Sequence, residues 1–213
     1  MKLYSYWRST AAYRVQIALN IKQLDYNYEA VHLVREGGEH LHDKYKSLNP
    51  QSLVPALEVQ GGQILTQSLA IIDYLEQMYP TVSLYPSDAI EKAQAKAMAL
   101  SIACDIHPLN NLRVLKYLKS QSWQQEQVDK WYAHWIHTGF TAIEKQLTNS
   151  AGQFCFANTV TVADIFLVAQ VYNANRFSVP LDAYPLIQNI NAHCLTQQAF
   201  IDALPENQPD CDT

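Results

Sequence analysis

Glycine is scarce in this sequence of 213 residues, with six in all. None of them falls in a G-x-G-x-x-G or G-x-x-x-x-G-K-[ST] loop, so the usual ways of cradling a nucleotide's phosphates have no support. Cysteine is scarce too. Cys104, Cys155, Cys194 and Cys211 lie far apart and form no C-x-x-C pair, so they read as reduced thiols and not as a disulfide framework or redox motif. Charged residues make up 16% of the chain, and the net charge of −5 argues against nucleic acid as the main partner. No apolar run approaches the roughly 20 residues a membrane helix needs. The chain opens at once on the strand-like KLYSYW, which leaves no room for a signal peptide, so a cytoplasmic protein without membrane contact is expected. The five arginines, Arg8, Arg14, Arg35, Arg113 and Arg176, matter individually. On an acidic protein, an anionic ligand must be held by a few local cations or by backbone dipoles.

The chain changes grammar near its middle. Residues 1–80 alternate short strand-like and helical pieces. KLYSYW predicts a strand, and residues 9–21 a helix with Ala11, Ala12, Val15, Ala18 and Leu19 on one face. DYNYEAVHLV predicts a second strand, followed by a short polar helix at residues 40–47. PALEV and QILTQ flank Gly61 and Gly62 and read as a hairpin, and SLAIIDYLEQMY as a helix stopped by Pro80. PTVSLYPSD, residues 80–88, supplies a linker, with residues 81–88 between the two domains. Beyond it the strand signal vanishes. Helices are expected over residues 90–118, with a bend at Pro108, and over 124–147, 161–175 and 184–203. The order βαβ, short helix, ββα describes an α/β domain at residues 1–80, followed by an all-α domain at 89–213.

The helix after YWRS carries the strongest chemical signal. A helix start leaves about four N–H groups without partners, and the macrodipole adds about half a positive charge there. An acidic residue at the third position often neutralises that end. Here Ala12 stands there if Ser9 is the cap, and Tyr13 if Thr10 is. The field is left for an external anion, to which two adjacent hydroxyls can donate. For a thiolate, one such hydroxyl bond contributes about 1.5–3 kcal/mol and the helix end about 0.3–1 kcal/mol. Together that lowers a thiol's pKa by roughly 1.5–3 units from about 8.5. No cysteine of this chain is near in sequence, so the thiol must come from a ligand.

Three companions accompany this start. Val54-Pro55 in SLVPAL precedes a strand, where a cis peptide or tight turn would present the main-chain groups of Val54 to an extended peptide. Gln67 and Ser68 in TQSLAI open a second helix without an acid at its third position, suited to a carboxylate. Thr161 and Asp164 in TVAD form a capping-box pattern that serves folding. Taken singly, each is also what an ordinary cap or turn looks like. His134 with His137, and His40 with His42, have the spacing of metal ligands. Neither pair has a cysteine or carboxylate to complete a set, so no metal is expected.

In combination, YSYWRSTAAYRVQIAL, LNPQSLVPAL, TQSLAIIDYLE, DIHPLNNLRVLKYL and TVADIFLVAQVYNANRF resemble the zeta class of the cytosolic glutathione transferases over nearly the whole chain. The resemblance implies a thioredoxin-like first domain, a helical second domain, a homodimer and glutathione as cofactor. It also implies glutathione-dependent isomerisation of maleylacetoacetate to fumarylacetoacetate, in the breakdown of tyrosine and phenylalanine. Isomerisation of maleylpyruvate, transfer to or dehalogenation of small α-halo acids, and a non-catalytic binding protein are its alternatives.

The family's Ser-Ser-Cys falls on Ser9, Thr10 and Ala11, so Ser9 is the implied stabiliser of the thiolate, Thr10 a second donor, and Ala11 a departure. Further implied glutathione contacts are Arg14, His40 (where relatives have glutamine), Val54, Gln67 and Ser68. His107, Asn111, Leu112 and Arg113 are implied from the helical domain, and Arg8 and Arg176 for the substrate's carboxylate.

Overall fold

In the computed structural model, residues 1–212 are described and divide into two units. The first comprises Met1–Ser83 together with the described residues from Thr196 onward, and the second Leu84–Leu195. No helix among the described residues is long and apolar enough to cross a membrane.

The first unit is built on a four-stranded sheet in the order β2-β1-β3-β4. Strand β1 (Lys2–Ser5) runs parallel to β2 (Asn27–Ala30), which requires a crossover, and α1 (Thr10–Ile21) supplies it. β3 (Ala56–Glu58) runs antiparallel to β1 and to β4 (Ile64–Thr66). The β3–β4 hairpin turns at Gly61 and Gly62, whose φ values of +85° and +75° lie where a side chain would be strained. A short α2 (Asp43–Leu48) precedes β3, and α3 (Ser68–Met78) follows β4. The second strand is shorter than DYNYEAVHLV predicts, because the chain leaves the sheet after Ala30.

Every residue of α1 from Ala12 to Leu19 is buried, not only one face. Its other side is covered by α9 (Gln198–Asp202), where Phe200 is fully buried, Tyr13 Oη donates to the Phe200 carbonyl at 3.5 Å and Asn20 Nδ2 donates to that of Ala199 at 3.1 Å. By compactness, the segment from Thr196 onward groups with the first unit, and the second unit spans Leu84–Leu195. The helix expected over 184–203 is correspondingly two: α8 (Pro185–Cys194) in the second unit and α9 in the first.

Beneath α1 and α3 lies a side chain that the sequence reading passed over. The Lys22 side chain is 1% exposed. Its Nζ donates to Glu76 at 2.8 Å, to the Tyr79 carbonyl at 2.8 Å and to the Val82 carbonyl at 2.7 Å. Three segments thus converge on one ammonium whose three N–H donors are all used.

The second unit is helical: α4 (Ala89–Leu100), α5 (Leu112–Ser120), α6 (Gln125–Ser150), α7 (Val162–Arg176) and α8. The single helix expected over 90–118 is broken. After α4 the chain widens into a π-helical stretch, Ser101–Ile106, then tightens into a 3₁₀ turn, His107–Asn110. Asn111 is extended, at φ −67° and ψ 146°. Pro108 cannot supply the N–H that a continuing α-helix needs, and Asn111 restarts the chain by capping α5 with its own side chain.

Helix α7 is the buried centre of this unit, and its start is a capping box. Asp164 is fully buried and accepts from the Cys155 N–H at 2.7 Å, the Thr161 N–H at 2.8 Å and the Thr161 hydroxyl at 2.9 Å. Burial pushes its carboxyl pKa up, and the donors from Cys155 and Thr161 hold it down against that. Asp164→Ala leaves those buried donors without an acceptor and is expected to destabilise the protein by about 3 kcal/mol or more, read by urea unfolding. A loss below about 1 kcal/mol would mean that the cap is dispensable.

Candidate active site

The site is built from the loop between β1 and α1. Ser9 is the N-cap of α1, with φ −80° and ψ 105°. Its N–H donates to the Tyr6 carbonyl at 2.8 Å, and its own carbonyl accepts the Tyr13 N–H at 2.9 Å. Its Oγ accepts the Ala12 N–H at 3.2 Å. That bond occupies a lone pair and leaves the hydroxyl hydrogen to donate elsewhere, and it meets no acceptor among the described residues. The first turn carries no acidic residue. A partly exposed hydroxyl donor therefore stands over unneutralised helix N–H groups, an arrangement suited to an anion.

The neighbours of Ser9 are placed differently from one another. Arg8 is exposed, its guanidinium 4.1 Å from the centroid of the Trp7 ring. Thr10 is 2% exposed, so it reaches only a ligand seated directly against the helix end. Ala11 is partly exposed in the first turn.

A second helix start lies against the first. Arg14, 2% exposed, donates from Nη1 to Ser68 Oγ at 3.4 Å, tying α1 to the first residue of α3. No acid occupies the first turn of α3 either. Gln67 caps it with φ 69°, a left-handed conformation that costs a non-glycine residue about 1–3 kcal/mol. Its side chain donates to Gln51 Oε1 at 3.2 Å.

The peptide bond between Val54 and Pro55 is cis. Just before it, the Leu53 carbonyl accepts from Tyr45 Oη at 2.7 Å and from Asn49 Nδ2 at 2.8 Å. Burial pushes the Tyr45 hydroxyl up to about 12, so it remains a donor at neutral pH. The N–H and C=O of Val54 have no hydrogen-bond partner among the described residues. Val54 shares an apolar cluster with Tyr6 and Trp7, which brings the loop before Ser9 beside it. His40 lies in the short turn Glu39–Leu41. A Cβ on Gly38, at φ +110°, would come within 2.6 Å of the His40 ring, so that glycine makes room for the imidazole.

The remaining candidates sit in the helical unit. His107 opens the 3₁₀ turn, Asn111 accepts the Arg113 N–H at 3.1 Å, Leu112 is 38% exposed, and Arg113 is exposed. Arg176 ends α7, exposed, with its guanidinium 5.1 Å from the Phe177 ring centroid. His137 is engaged with Tyr184 Oη at 2.9 Å, and no group of three or more metal-ligating side chains occurs among the described residues.

Residues 3–83 match the family described as glutathione S-transferase, N-terminal domain. A Vibrio cholerae serotype O1 protein named "Probable maleylacetoacetate isomerase" is 51% identical over 209 residues, covering 98% of this chain and 97% of that one. The holo structure of a maleylpyruvate isomerase, a bacterial glutathione S-transferase of the zeta class, superposes with a TM-score of 0.95 at 47% identity over 100% of both chains. A maleylacetoacetate isomerase from Methylobacterium extorquens AM1, crystallised with malonate and glutathione bound, also gives 0.95, at 35% identity over 100% of both chains. With similarity of this depth along essentially the whole length in sequence and fold, the chain belongs to the family of zeta-class glutathione transferases and maleylacetoacetate isomerases.

Proposed function

We propose that this protein is a glutathione-dependent cis–trans isomerase that converts maleylacetoacetate to fumarylacetoacetate. The observation that carries the reading is the hydroxyl of Ser9, which caps an acid-free helix start with its lone pair and keeps its hydrogen for a ligand. No cysteine stands on that helix end, so the anion it suits is a thiolate brought by glutathione.

Residues of the first unit supply the binding contacts in this reading. Arg14, Gln67 and Ser68 hold the carboxylate of the γ-glutamyl end at the start of α3. The unpartnered main chain of Val54 pairs with the cysteinyl residue, and His40 supplies a polar contact to the peptide. Ser9 donates to the sulfur, with Thr10 as a second donor. Arg8, exposed beside Ser9, is the cation offered to the substrate's carboxylate.

The chemistry is reversible addition. The thiolate attacks an alkene carbon conjugated to a carbonyl, and the π electrons move onto the carbonyl oxygen as an enolate. The former double bond is now single and rotates. Collapse of the enolate re-forms the double bond in the trans geometry and expels the thiolate, so glutathione is regenerated. The protein must stabilise the thiolate without making it too poor a nucleophile. Family membership carries the further expectation of a cytoplasmic homodimer serving tyrosine and phenylalanine breakdown.

Maleylpyruvate as the substrate is the second reading, favoured by the 47% identity to an enzyme named for it. The deciding measurement is turnover of maleylacetoacetate and maleylpyruvate in parallel, each with and without glutathione. Glutathione-dependent turnover of the first, at least tenfold faster than the second, is the expected result. The reverse ranking would establish the second reading. Turnover of neither, with glutathione bound, would move the search to α-halo acids.

A further inference from the structure

The described chain ends in a short segment that is tied into the unit carrying Ser9. Gln208 Nε2 donates to the carbonyls of Asp202 and Leu204 at 3.0 and 2.9 Å, and its Oε1 accepts from Gln16 Nε2 of α1 at 2.8 Å. Two residues on, Asp210 spreads its carboxylate across two elements. One oxygen accepts from Tyr28 Oη of β2 at 2.5 Å, and the other accepts the main-chain N–H of Trp7 at 3.2 Å. Burial first, and the Asp210 carboxylate second, push the Tyr28 hydroxyl's pKa up, so it stays a donor. Asp212 accepts from His32 Nε2 at 3.1 Å and from Arg35. Between the two aspartates, Cys211 packs against the cluster of Tyr6, Trp7 and Val54.

These contacts meet at residues 6–9. The Trp7 N–H is held by Asp210, the Tyr6 carbonyl holds the Ser9 N–H at 2.8 Å, and the Tyr6 ring lies edge-on to His32 with centroids 4.7 Å apart. A loop between a strand and a helix has few ladder bonds of its own. Here a carboxylate arriving from about 200 residues away in sequence supplies a charge-assisted one, two positions before the cap. We infer that Asp210 is a positioning residue for Ser9: it clamps the main chain of the β1–α1 loop against β2 and so sets the direction in which the Ser9 hydroxyl donates. The inference rests on the reading of Ser9 as the group that holds glutathione's sulfur.

Its test uses the full chain with glutathione and with S-methylglutathione, which lacks an ionisable thiol. The pKa of the bound thiol is read from thiolate absorbance across pH in wild type, Asp210→Ala, Asp210→Asn, Ser9→Ala and the double variant Ser9→Ala/Asp210→Ala. Asp210→Ala is expected to raise the bound thiol's pKa by about one unit, an about tenfold loss of thiolate, and Asp210→Asn by less. S-methylglutathione binding is expected to hold within about twofold, since Gln67 and Ser68 stand at the start of α3 and the main chain before Val54 is held by Tyr45 and Asn49, not by Asp210.

In the Ser9→Ala background, removing Asp210 is expected to shift the thiol no further. A loop that merely stabilises the fold would lower the melting temperature and leave the thiol where it was, and that result overturns the inference. So does an undiminished shift in the Ser9→Ala background, which would mean that Asp210 acts by another route. If Ser9→Ala itself leaves the thiol's pKa unchanged, it is the reading of Ser9 that fails. If Asp210→Ala does not fold, Asp210→Asn decides by the same readings.

Discussion

Ser9→Ala is expected to cut kcat/KM for isomerisation by about 10²-fold or more, the order seen when a preorganised donor to developing charge is removed. The size follows from the bond it deletes. A hydroxyl donating to a charged sulfur contributes about 1.5–3 kcal/mol. At about 1.36 kcal/mol per unit, that is about one to two pKa units on the bound thiol. The helix N–H groups remain, so part of the stabilisation survives. The rate loss should therefore shrink as pH is raised, and the ascending limb of the pH–rate profile should move to more alkaline pH by the same one to two units, in round figures. Ser9→Ala also removes the cap on the Ala12 N–H, at about 0.5–2 kcal/mol of stability, so activity is compared at a temperature where both proteins are folded. Ser9→Thr keeps a hydroxyl and should retain most of the thiolate. A Ser9→Ala enzyme with wild-type rate and wild-type thiolate absorbance at neutral pH would refute the assignment.

The largest loss of stability is expected far from that chemistry, at Lys22→Met. The methionine fills similar volume but leaves the Tyr79 and Val82 carbonyls and the Glu76 carboxylate without their shared donor. Breaking a buried charge-mediated set by deleting one partner costs about 3–5 kcal/mol. Glu76→Gln should cost much less, because the two carbonyls keep their ammonium and Glu76 is the more exposed member of the pair, at 18% against 1%. Urea unfolding of both variants checks the ordering. Equal losses would make the ion pair, and not the three-way junction, the source of the stability.

Neither Lys22 nor Asp210 announces itself in the sequence, and the reason is the same for both. A capping box such as Thr161 and Asp164, a hairpin at Gly61 and Gly62, and a helix start at Ser9 are local events, written within four residues of where they act. They were legible. Lys22 looks like any lysine near a helix end until α3 and the following loop are folded over it. Asp210 looks like part of an acidic tail until β2 and Trp7 are brought beside it. The helix boundaries misjudged at 90–118 and 184–203 have a related cause. Apolar periodicity continues through Ser101–Ile106 and across residues 195–197, while the backbone changes its winding or its packing partner. Burial on all sides of α1 likewise depended on α9, more than 170 residues later. For the candidate ligand contacts, the sequence shows residue types and not their exposure. The sequence could not separate the buried Thr10 from the half-exposed Ser9, because both face the start of one helix turn.

The first turn of α1 has one more consequence, through Ala11. A cysteine there would sit in the same positive field that suits a bound thiolate, and would itself be activated as a nucleophile. An enzyme that handles conjugated alkenes would then carry, beside its reaction centre, a side chain able to be alkylated by its own substrate. None of the four cysteines this chain does have stands on α1: burial pushes the thiols of Cys155 and Cys194 well up from their ordinary range, and Cys211 packs against the cluster of Tyr6, Trp7 and Val54. With alanine at this position, the first turn of α1 carries no sulfur of its own. If Ser9 holds glutathione's sulfur as proposed, alanine at position 11 keeps a protein thiol out of the field that serves the cofactor and so removes one route to alkylation by a conjugated alkene.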